Sequence, residues 1–154
     1  MNTRVARFLA AVAVVVALST PAHANAPAGR YVVTNGGTSS GTVYDTKTKL
    51  TWQQIVPSTT YTWANAKTYC AGVGASLGGT GWRLPTVKEF QTIVDDSRTN
   101  PAIDPKAFPS TPAGSFWSSS PVAGSSSLAW AVYSGNGLTG NHDVSYTDYV
   151  RCVR

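Results

Sequence analysis

Few residues of this chain can do acid–base or nucleophilic chemistry. Beyond a predicted N-terminal leader, the sequence holds one histidine, His142, and one glutamate, Glu89, which is little material for general acid–base catalysis. The serine run "SSS" at 118–120 has no histidine or lysine beside it in sequence to activate a serine nucleophile. We therefore expect a protein that is not an enzyme.

Two cysteines, Cys70 and Cys152, are the only residues that offer thiol chemistry. An even number of cysteines in an exported chain indicates a disulfide. Closing a loop of about 80 residues stabilises a fold by about 4 kcal/mol in the chain-entropy model. A bonded pair would leave no thiolate for a nucleophile or a metal ion. The alternative is two free thiols in a reducing compartment.

Three aspartates, Asp95, Asp96 and Asp104, raise the question of a calcium site. Their spacing is not that of an EF-hand loop, and no glutamate follows to complete a coordination shell. We favour the alternative, in which they end a helix and pair with Arg98 or Lys106. No metal site and no cofactor are predicted.

The tryptophans divide into two groups. Trp52, Trp63 and Trp82 lie on predicted helices or strands, and we assign them to the core. Trp117 and Trp130 flank a serine-rich stretch, where an indole ring can stack on the apolar face of a sugar. The alternative is that these two anchor the serine-rich loop to the core.

A recognition surface is predicted on residues 97–127 and on the turn 136–143, because binding residues concentrate on loops held by a rigid scaffold. The asparagines and the aspartate of the turn are also explained by turn chemistry alone. An anionic glycan would have to use the two basic groups of these segments. The predicted ligand-binding residues are Arg98, Lys106, Trp117, Trp130, Asn136, Asn141, His142 and Asp143.

Arg83 stands between Trp82 and Leu84 in the stretch "GWRLPTVKEF". We predict a structural role, in which a buried or half-buried guanidinium pairs with Glu89, Asp95 or backbone oxygens of the long loop. Trp82 and Glu89 are assigned structural roles with it. The alternative is an Arg83 that contacts a ligand.

Residues 1–24 have the pattern of a secretory signal: Arg4 and Arg7, an apolar stretch at 8–18, and the small-residue cleavage site Ala22-His23-Ala24. The apolar stretch is shorter than the roughly 20 residues that span a bilayer. We expect cleavage after Ala24, the alternative being an uncleaved anchor. Removal lowers Lys+Arg from 12 to 10 against 7 Asp+Glu. A net charge of about +3 is too small to indicate a nucleic-acid partner.

The pattern of the remaining chain predicts segregated strands and helices. A strand at 30–33 and a hairpin at 42–54 precede a helix within 61–79, capped by Thr62 and with Ala66 and Cys70 on its buried face. Thr86 and Glu89 form a capping box for a second helix. A long packed excursion at 97–127, a strand at 128–134, a turn at 135–141 and a closing strand at 145–154 follow. This order indicates an α+β domain with an antiparallel sheet.

Seven motifs in order carry a family resemblance: "TVYDTKTKLTWQQ", "TWANAKTYC", "GWRLPTVKEFQTIVD", "NPAIDPKAFP", "FWSSSP", "AWAVYSGNG" and "YVRCVR". The chain resembles the Lcl C-terminal domain family, whose module ends a bacterial collagen-like adhesin. The resemblance covers residues 42–154, after a leader and first strand at 25–41. It implies a C-type lectin-like fold, with two helices packed on a small twisted antiparallel sheet, a long loop region and the Cys70–Cys152 disulfide.

The chain departs from related patterns at several points. "WRLPT" resembles a step of the formylglycine-generating enzymes, but both cysteines here occupy structural positions, so that chemistry is not carried over. The Glu-Pro-Asn and Trp-Asn-Asp motifs of calcium-dependent lectins are absent, and so is a Gly-X-Y stalk. The adhesin module binds sulfated polysaccharides from the end of a trimerising stalk. Because this chain has no such stalk, the resemblance leaves its oligomeric state open.

These observations predict a secreted or periplasmic, non-enzymatic recognition module. Its expected partner is an extracellular or envelope polysaccharide, sulfated ones included, in bacterial adhesion. The alternative is a protein-binding or structural module of the cell envelope. Neither a nucleic-acid partner nor membrane insertion after signal removal is expected.

Overall fold

The computed structural model describes residues 26–154, so the predicted signal at 1–24 lies outside the described residues. Two three-stranded antiparallel sheets, ordered β1-β2-β3 and β4-β5-β6, are combined with three short helices. The predicted α+β class with antiparallel pairing is confirmed. In chain order the elements are β1 (Tyr31–Thr34), β2 (Thr42–Asp45), β3 (Thr51–Gln53), α1 (Trp63–Gly72), α2 (Gly74–Leu77), α3 (Val87–Gln91), β4 (Ser115–Pro121), β5 (Leu128–Tyr133) and β6 (Thr139–Asp143).

The predicted hairpin forms the centre of the first sheet. Val43 of β2 and Trp52 of β3 are register partners, and both are fully buried. Lys49 takes a positive φ of 65° in the turn that joins these strands. The strand predicted at 30–33 is found one residue later, as β1, where it pairs with β2.

The single helix predicted within 61–79 is interrupted after Gly72. The second short helix, α2, begins at Gly74, where a Cβ atom would meet the carbonyl oxygen of Gly79 at 2.7 Å. Ala66 and Cys70 are fully buried, as the helical spacing predicts. Thr62 occupies the N-cap position, as predicted, but its side chain makes no capping hydrogen bond.

Helix α3 has the predicted capping box. The Glu89 amide donates to Thr86 Oγ1 at 3.2 Å, and the Thr86 amide donates to Glu89 Oε2 at 2.7 Å. Phe90 and Ile93 face the core with 0% and 1% of their surface exposed. The capping box therefore fixes where this helix begins and which side it buries.

The long excursion is packed, as predicted, but it is shorter than 97–127. Ile103 and Phe108 are fully buried within it. Its last part forms β4, which pairs with the correctly predicted β5. The predicted turn at 135–141 is also wrong in extent, because β6 starts at Thr139 and pairs along β5. Asn141, His142 and Asp143 therefore lie on a strand.

The continuous closing strand predicted at 145–154 is not found. Instead, residues 148–153, which we call the closing segment, change partners along their length. Asp148 bridges Tyr61, Tyr149 bridges Phe116 in parallel, and Val153 bridges both Trp52 and Arg83. The closing segment thus connects the two sheets.

The disulfide between Cys70 and Cys152 is present, so the prediction from the cysteine count is confirmed. It ties α1 to the closing segment across 82 positions of sequence. Trp52 and Trp82 are buried as predicted, while Trp63 is partly buried. No helix within residues 26–154 has the length and apolarity that crossing a bilayer requires.

Candidate functional site

Trp117 is not available to a ligand. Its side chain is fully buried, and its Nε1 donates to the carbonyl oxygen of Tyr61 at 2.7 Å. The prediction that Trp117 binds a sugar is therefore wrong, and the alternative of a core anchor holds for it. Trp130 is only partly buried.

The two basic residues predicted to bind an anionic glycan, Arg98 and Lys106, differ in their exposure to solvent. Arg98 is largely buried, with 14% of its side chain exposed, and its Nε donates to Asp95 Oδ2 at 2.8 Å. This is the pairing that the non-calcium alternative predicts. Lys106 is exposed, and its amide donates to Asp104 Oδ1 at 2.8 Å. Within residues 26–154, no three His, Cys, Asp or Glu side chains are grouped so as to hold a metal ion.

The predicted polar residues of the β5–β6 hairpin do not form one surface. Asn136 lies at the hairpin tip, where its Oδ1 accepts from the Leu138 amide at 3.2 Å. Trp130 and Asn141 are register partners and share one face of the second sheet. His142 pairs with Ala129 and lies on the opposite face. The predicted set is therefore divided among the tip and two faces.

Asp143 has a local structural role. Its Oδ1 accepts from the amide and the hydroxyl of Ser145, at 2.9 and 2.7 Å. These hydrogen bonds lower the pKa of the Asp143 carboxyl. The carboxylate thus closes the turn that leads from β6 into the closing segment.

His142 has the best-defined geometry of the predicted ligand residues. Its Nδ1 lies 2.7 Å from Asp148 Oδ2, and the two side chains are 33% and 11% exposed. The Trp117 ring packs edge-on against the imidazole, with ring centroids 6.0 Å apart. The centroid of the Tyr146 ring lies 6.4 Å from that of the imidazole. Tyr146 is 63% exposed. Because Asp148 engages Nδ1, Nε2 is the ring nitrogen available to a ligand.

Arg83 pairs with Glu89, as predicted, through bonds of 2.8 and 2.6 Å from its two terminal nitrogens. The guanidinium lies at the surface, however, with 47% of the side chain exposed. The hydrogen bond from Arg83 lowers the pKa of Glu89 to about 2, although partial burial opposes this shift. Arg83 therefore supports the capping box from a half-buried position, which is within the range of burial that we predicted.

The buried arginine of this fold is Arg151, which sequence reasoning missed. It is fully buried and donates to the carbonyl oxygens of Gln53 and Gln54 and to Thr111 Oγ1. Its guanidinium lies 4.7 Å from the Phe108 ring centroid. Burial lowers its pKa to about 9, so it remains charged at neutral pH. The alternation in "YVRCVR" places Arg151 on the opposite face of the predicted strand from Val150 and Cys152. Nothing in the sequence indicates that this second face is buried too.

Gln53 and Tyr69 form a second arrangement that sequence reasoning missed. Gln53 Oε1 accepts from the Cys152 amide at 3.2 Å, and Gln53 Nε2 donates to Tyr69 Oη at 3.0 Å. The rings of Tyr61 and Tyr69 are in contact, with centroids 5.0 Å apart. A cleft of about 220 Å³ opens beside Tyr69. Neither residue carried a sequence signal of this arrangement, because their hydrogen bond joins β3 to α1.

The family model of the Lcl C-terminal domain matches residues 41–154, which includes both sheets except β1, all three helices and the disulfide. No curated protein matches the chain.

Proposed function

The chain belongs to the Lcl C-terminal domain family, and from this premise we propose that it is an exported, non-enzymatic recognition module that binds extracellular or envelope polysaccharide in adhesion. The family itself points to a module associated with a bacterial adhesin. We further propose that the two sheets and the disulfide represent the C-type lectin-like fold that the resemblance implies. The disulfide is compatible with an extracellular location.

One observation carries this proposal: the arrangement of His142, Asp148 and Tyr146 at the outer end of the second sheet. Sugars present apolar C–H faces and hydroxyl edges, and they suit sites that combine an exposed aromatic ring with oriented polar groups. Tyr146 supplies the exposed ring. Asp148 holds the imidazole of His142 in one orientation, so that Nε2 can bond a hydroxyl.

The surroundings of His142 support binding more than catalysis. Among the described residues, no Ser or Thr hydroxyl is hydrogen-bonded to its imidazole. Ser39 lies in the spacing Gly37-x-Ser39-x-Gly41, but this stretch joins β1 to β2. A nucleophile elbow requires a turn from a strand into a helix. Both cysteines are in the disulfide.

The test is glycan-array binding of the chain that starts at Asn25, followed by affinity measurement with the best glycan. We expect weak binding, on the order of 0.1–1 mM, as for a single small site. Tyr146→Ala should weaken it about tenfold with an unchanged melting temperature, because the ring is exposed. Tyr133→Ala, at an exposed tyrosine of β5, is the matched control. A wild-type chain that binds no glycan would contradict the proposal.

A protein partner is the second candidate, and a specific observation favours it. Val32 of β1 and Tyr44 of β2 are register partners on the outside of the first sheet, and they are 50% and 36% exposed. Val33 is 41% exposed as well, but it pairs with Val43 and lies on the opposite face of the sheet. β1 pairs only with β2, so its other edge is open among the described residues. A wild-type chain that binds no glycan would favour this candidate, whereas glycan binding unaffected by Tyr146→Ala would move the glycan site away from Tyr146.

A further inference from the structure

We infer that the cleft beside Tyr69 is a subsite for one uncharged sugar ring, an inference that rests on the proposed polysaccharide binding. The cleft has a volume of about 220 Å³. Sites for drug-sized ligands occupy about 300–1,000 Å³, so this one suits a ligand of the size of a single ring. The residues that line it are Ser39, Gln53, Ile55, Val56, Pro57, Tyr69 and Ser76.

The walls of the cleft have the mixed character that a sugar requires. Ile55, Val56 and Pro57 follow β3 and form an apolar wall, to which the Tyr69 ring adds an aromatic surface. Ser39 and Ser76 also line the cleft, and because the Ser76 hydroxyl donates to the carbonyl oxygen of Val73 at 3.0 Å, it can serve a ligand as an acceptor. A pyranose can lay its C–H face on the apolar wall and direct its hydroxyls to the polar groups.

A chain of hydrogen bonds orients the Tyr69 hydroxyl. The Cys152 amide can only donate, so Gln53 Oε1 must be the atom that faces it. This fixes the amide orientation, and Gln53 Nε2 therefore donates to Tyr69 Oη. The Tyr69 proton can then be donated elsewhere, and among residues 26–154 the only hydrogen bond found at Tyr69 Oη is the one that it accepts from Gln53. The Tyr69 hydroxyl is thus a donor held ready for a ligand oxygen.

Burial makes this donor rigid and keeps it protonated. Gln53 is 3% exposed, so its amide cannot turn toward water. Partial burial raises the pKa of the Tyr69 phenol, although the hydrogen bond from Gln53 opposes the shift. The disulfide partner of Cys70, the neighbour of Tyr69 in sequence, is the same Cys152 whose amide begins the chain. The disulfide therefore holds both ends of the hydrogen-bond chain together.

The lining selects an uncharged sugar. It includes no Lys, Arg, Asp or Glu side chain, so a sulfate or carboxylate would lose its hydration without gaining a counter-charge. A neutral pyranose unit of a longer polysaccharide carries no charge, so it does not lose the hydration of an ion when it enters the cleft. The inferred subsite is therefore distinct from the His142–Tyr146 surface in its residues and in its ligand.

The experiment is NMR titration of the ¹⁵N-labelled chain from Asn25 with soluble neutral hexasaccharides of glucose, galactose, mannose and N-acetylglucosamine. At least one should shift the amides of Gln53, Tyr69 and Ser76. Tyr69→Phe keeps the ring and removes the donor, and we expect it to weaken binding about five- to tenfold. Tyr133→Phe removes a hydroxyl on the surface of β5 and should leave the affinity unchanged. Ser39→Trp, at an exposed position, should fill the cleft and abolish these shifts without loss of folding.

The outcomes separate the inference from the proposed function. If array glycans bind but none of the neutral hexasaccharides shifts cleft amides, the subsite is overturned and the polysaccharide-binding function stands. The subsite is also overturned, and the polysaccharide-binding function again stands, if the Tyr69→Phe and Ser39→Trp variants both bind like the wild type. If no glycan of any kind binds, both proposals fail. Shifts that Ser39→Trp abolishes and Tyr69→Phe reduces support the subsite.

Discussion

Arg151 shows how a single buried charge can organise several segments of chain. Its terminal nitrogens satisfy the carbonyl oxygens of Gln53 and Gln54 after β3, and the hydroxyl of Thr111 in the long excursion. No carboxylate forms an ion pair with Arg151 among residues 26–154. The stabilisation therefore comes from these bonds and from contact with the Phe108 ring, and it must exceed the cost of burying the charge.

Arg151→Ala should lower the free energy of unfolding by about 3–5 kcal/mol, because it leaves two buried carbonyl oxygens unpaired and opens a cavity. Arg151→Lys should lose less, since an ammonium can keep one of the three bonds. The measurement is urea unfolding followed by tryptophan fluorescence. Lys106→Ala, at an exposed lysine, is the control and should shift the midpoint very little. An Arg151→Ala chain with the wild-type midpoint would refute the assigned role.

Helix α3 depends on side chains because it has only five residues. A helix this short is unstable alone, since too few backbone bonds offset the cost of its first turn. The capping box of Thr86 and Glu89 satisfies two of its free amides, and Phe90 anchors it to the core. Arg83 then holds the Glu89 carboxylate in place. The ionised form of Glu89 is thus the one that the folded chain prefers.

The stability of this element should depend on acid pH. The pKa of Glu89 is lowered from 4.5 to about 2 in the folded chain. Its contribution is therefore fully present above about pH 4.5 and is lost as the pH falls towards 2. Glu89→Gln should lower the unfolding free energy by about 1–2 kcal/mol at pH 7. The difference from wild type should shrink between pH 4.5 and 2.

Arg83→Ala tests the same element by removing the ion-pair partner of Glu89. The guanidinium is about half exposed, so solvent weakens the pair, and the expected loss at pH 7 is about 0.5–1 kcal/mol. Lys88→Ala, on the same helix, is the control. Urea unfolding at pH 7, 4 and 2.5 checks both predictions. A loss of several kcal/mol for Arg83→Ala, or a Glu89→Gln difference that is constant with pH, would contradict them.

Elements defined by neighbouring residues could be predicted from the sequence. The capping box of Thr86, the buried face of Ala66 and Cys70, and the hairpin around Lys49 all depend on contacts within a few positions. The strand β6 could not be predicted, because "TGNHD" has turn composition and becomes a strand only by pairing with β5. The glycines at 72, 74, 78 and 79 were expected to end the first helix, and α1 does end at Gly72. The short helix α2 that follows was not predicted.

The candidate site was predictable only in part, for the same reason. His142 was found as the one histidine beyond the predicted signal, but its partner Asp148 was not, because Tyr61 and the closing segment bring the two together. Trp117 was misassigned because a serine-rich neighbourhood looks exposed. The pairing of Gln53 with Tyr69 could not be predicted, since their hydrogen bond joins β3 to α1 and residue spacing does not show how these two elements pack together.

At the scale of the whole molecule, the closing segment and the disulfide join two small sheets into one unit. Val153 pairs on both sides, with Trp52 and Arg83, while Tyr149 pairs with Phe116 of β4. Each sheet has only three strands, and buried residues of both sheets, among them Trp52 and Phe116, pack in one cluster with Val153 of the closing segment. The stability of the domain therefore depends on this one segment remaining in place.

Loss of the disulfide should lower the free energy of unfolding by about 2–5 kcal/mol. The comparison is between the wild type with and without reductant and the Cys70→Ala, Cys152→Ala double variant. The double variant should match the reduced wild type and should not respond to reductant, which separates loss of the bond from side effects of the reagent. Thiol titration of denatured, unreduced wild type should detect no thiol. Two titratable thiols, or equal stability of all three samples, would contradict the prediction.

The position of the closing segment also sets when the domain can fold during its synthesis. Residues 148–153 are made about 100 positions after Trp52, a delay of about 5–20 s at ordinary rates of translation, and contacts this distant in sequence form slowly. Until they emerge, β3 and Arg83 lack their common partner, and β4 lacks Tyr149. Until residues 148–153 have been made, a nascent chain of this design cannot complete its fold, because the segment that joins its two sheets is still absent.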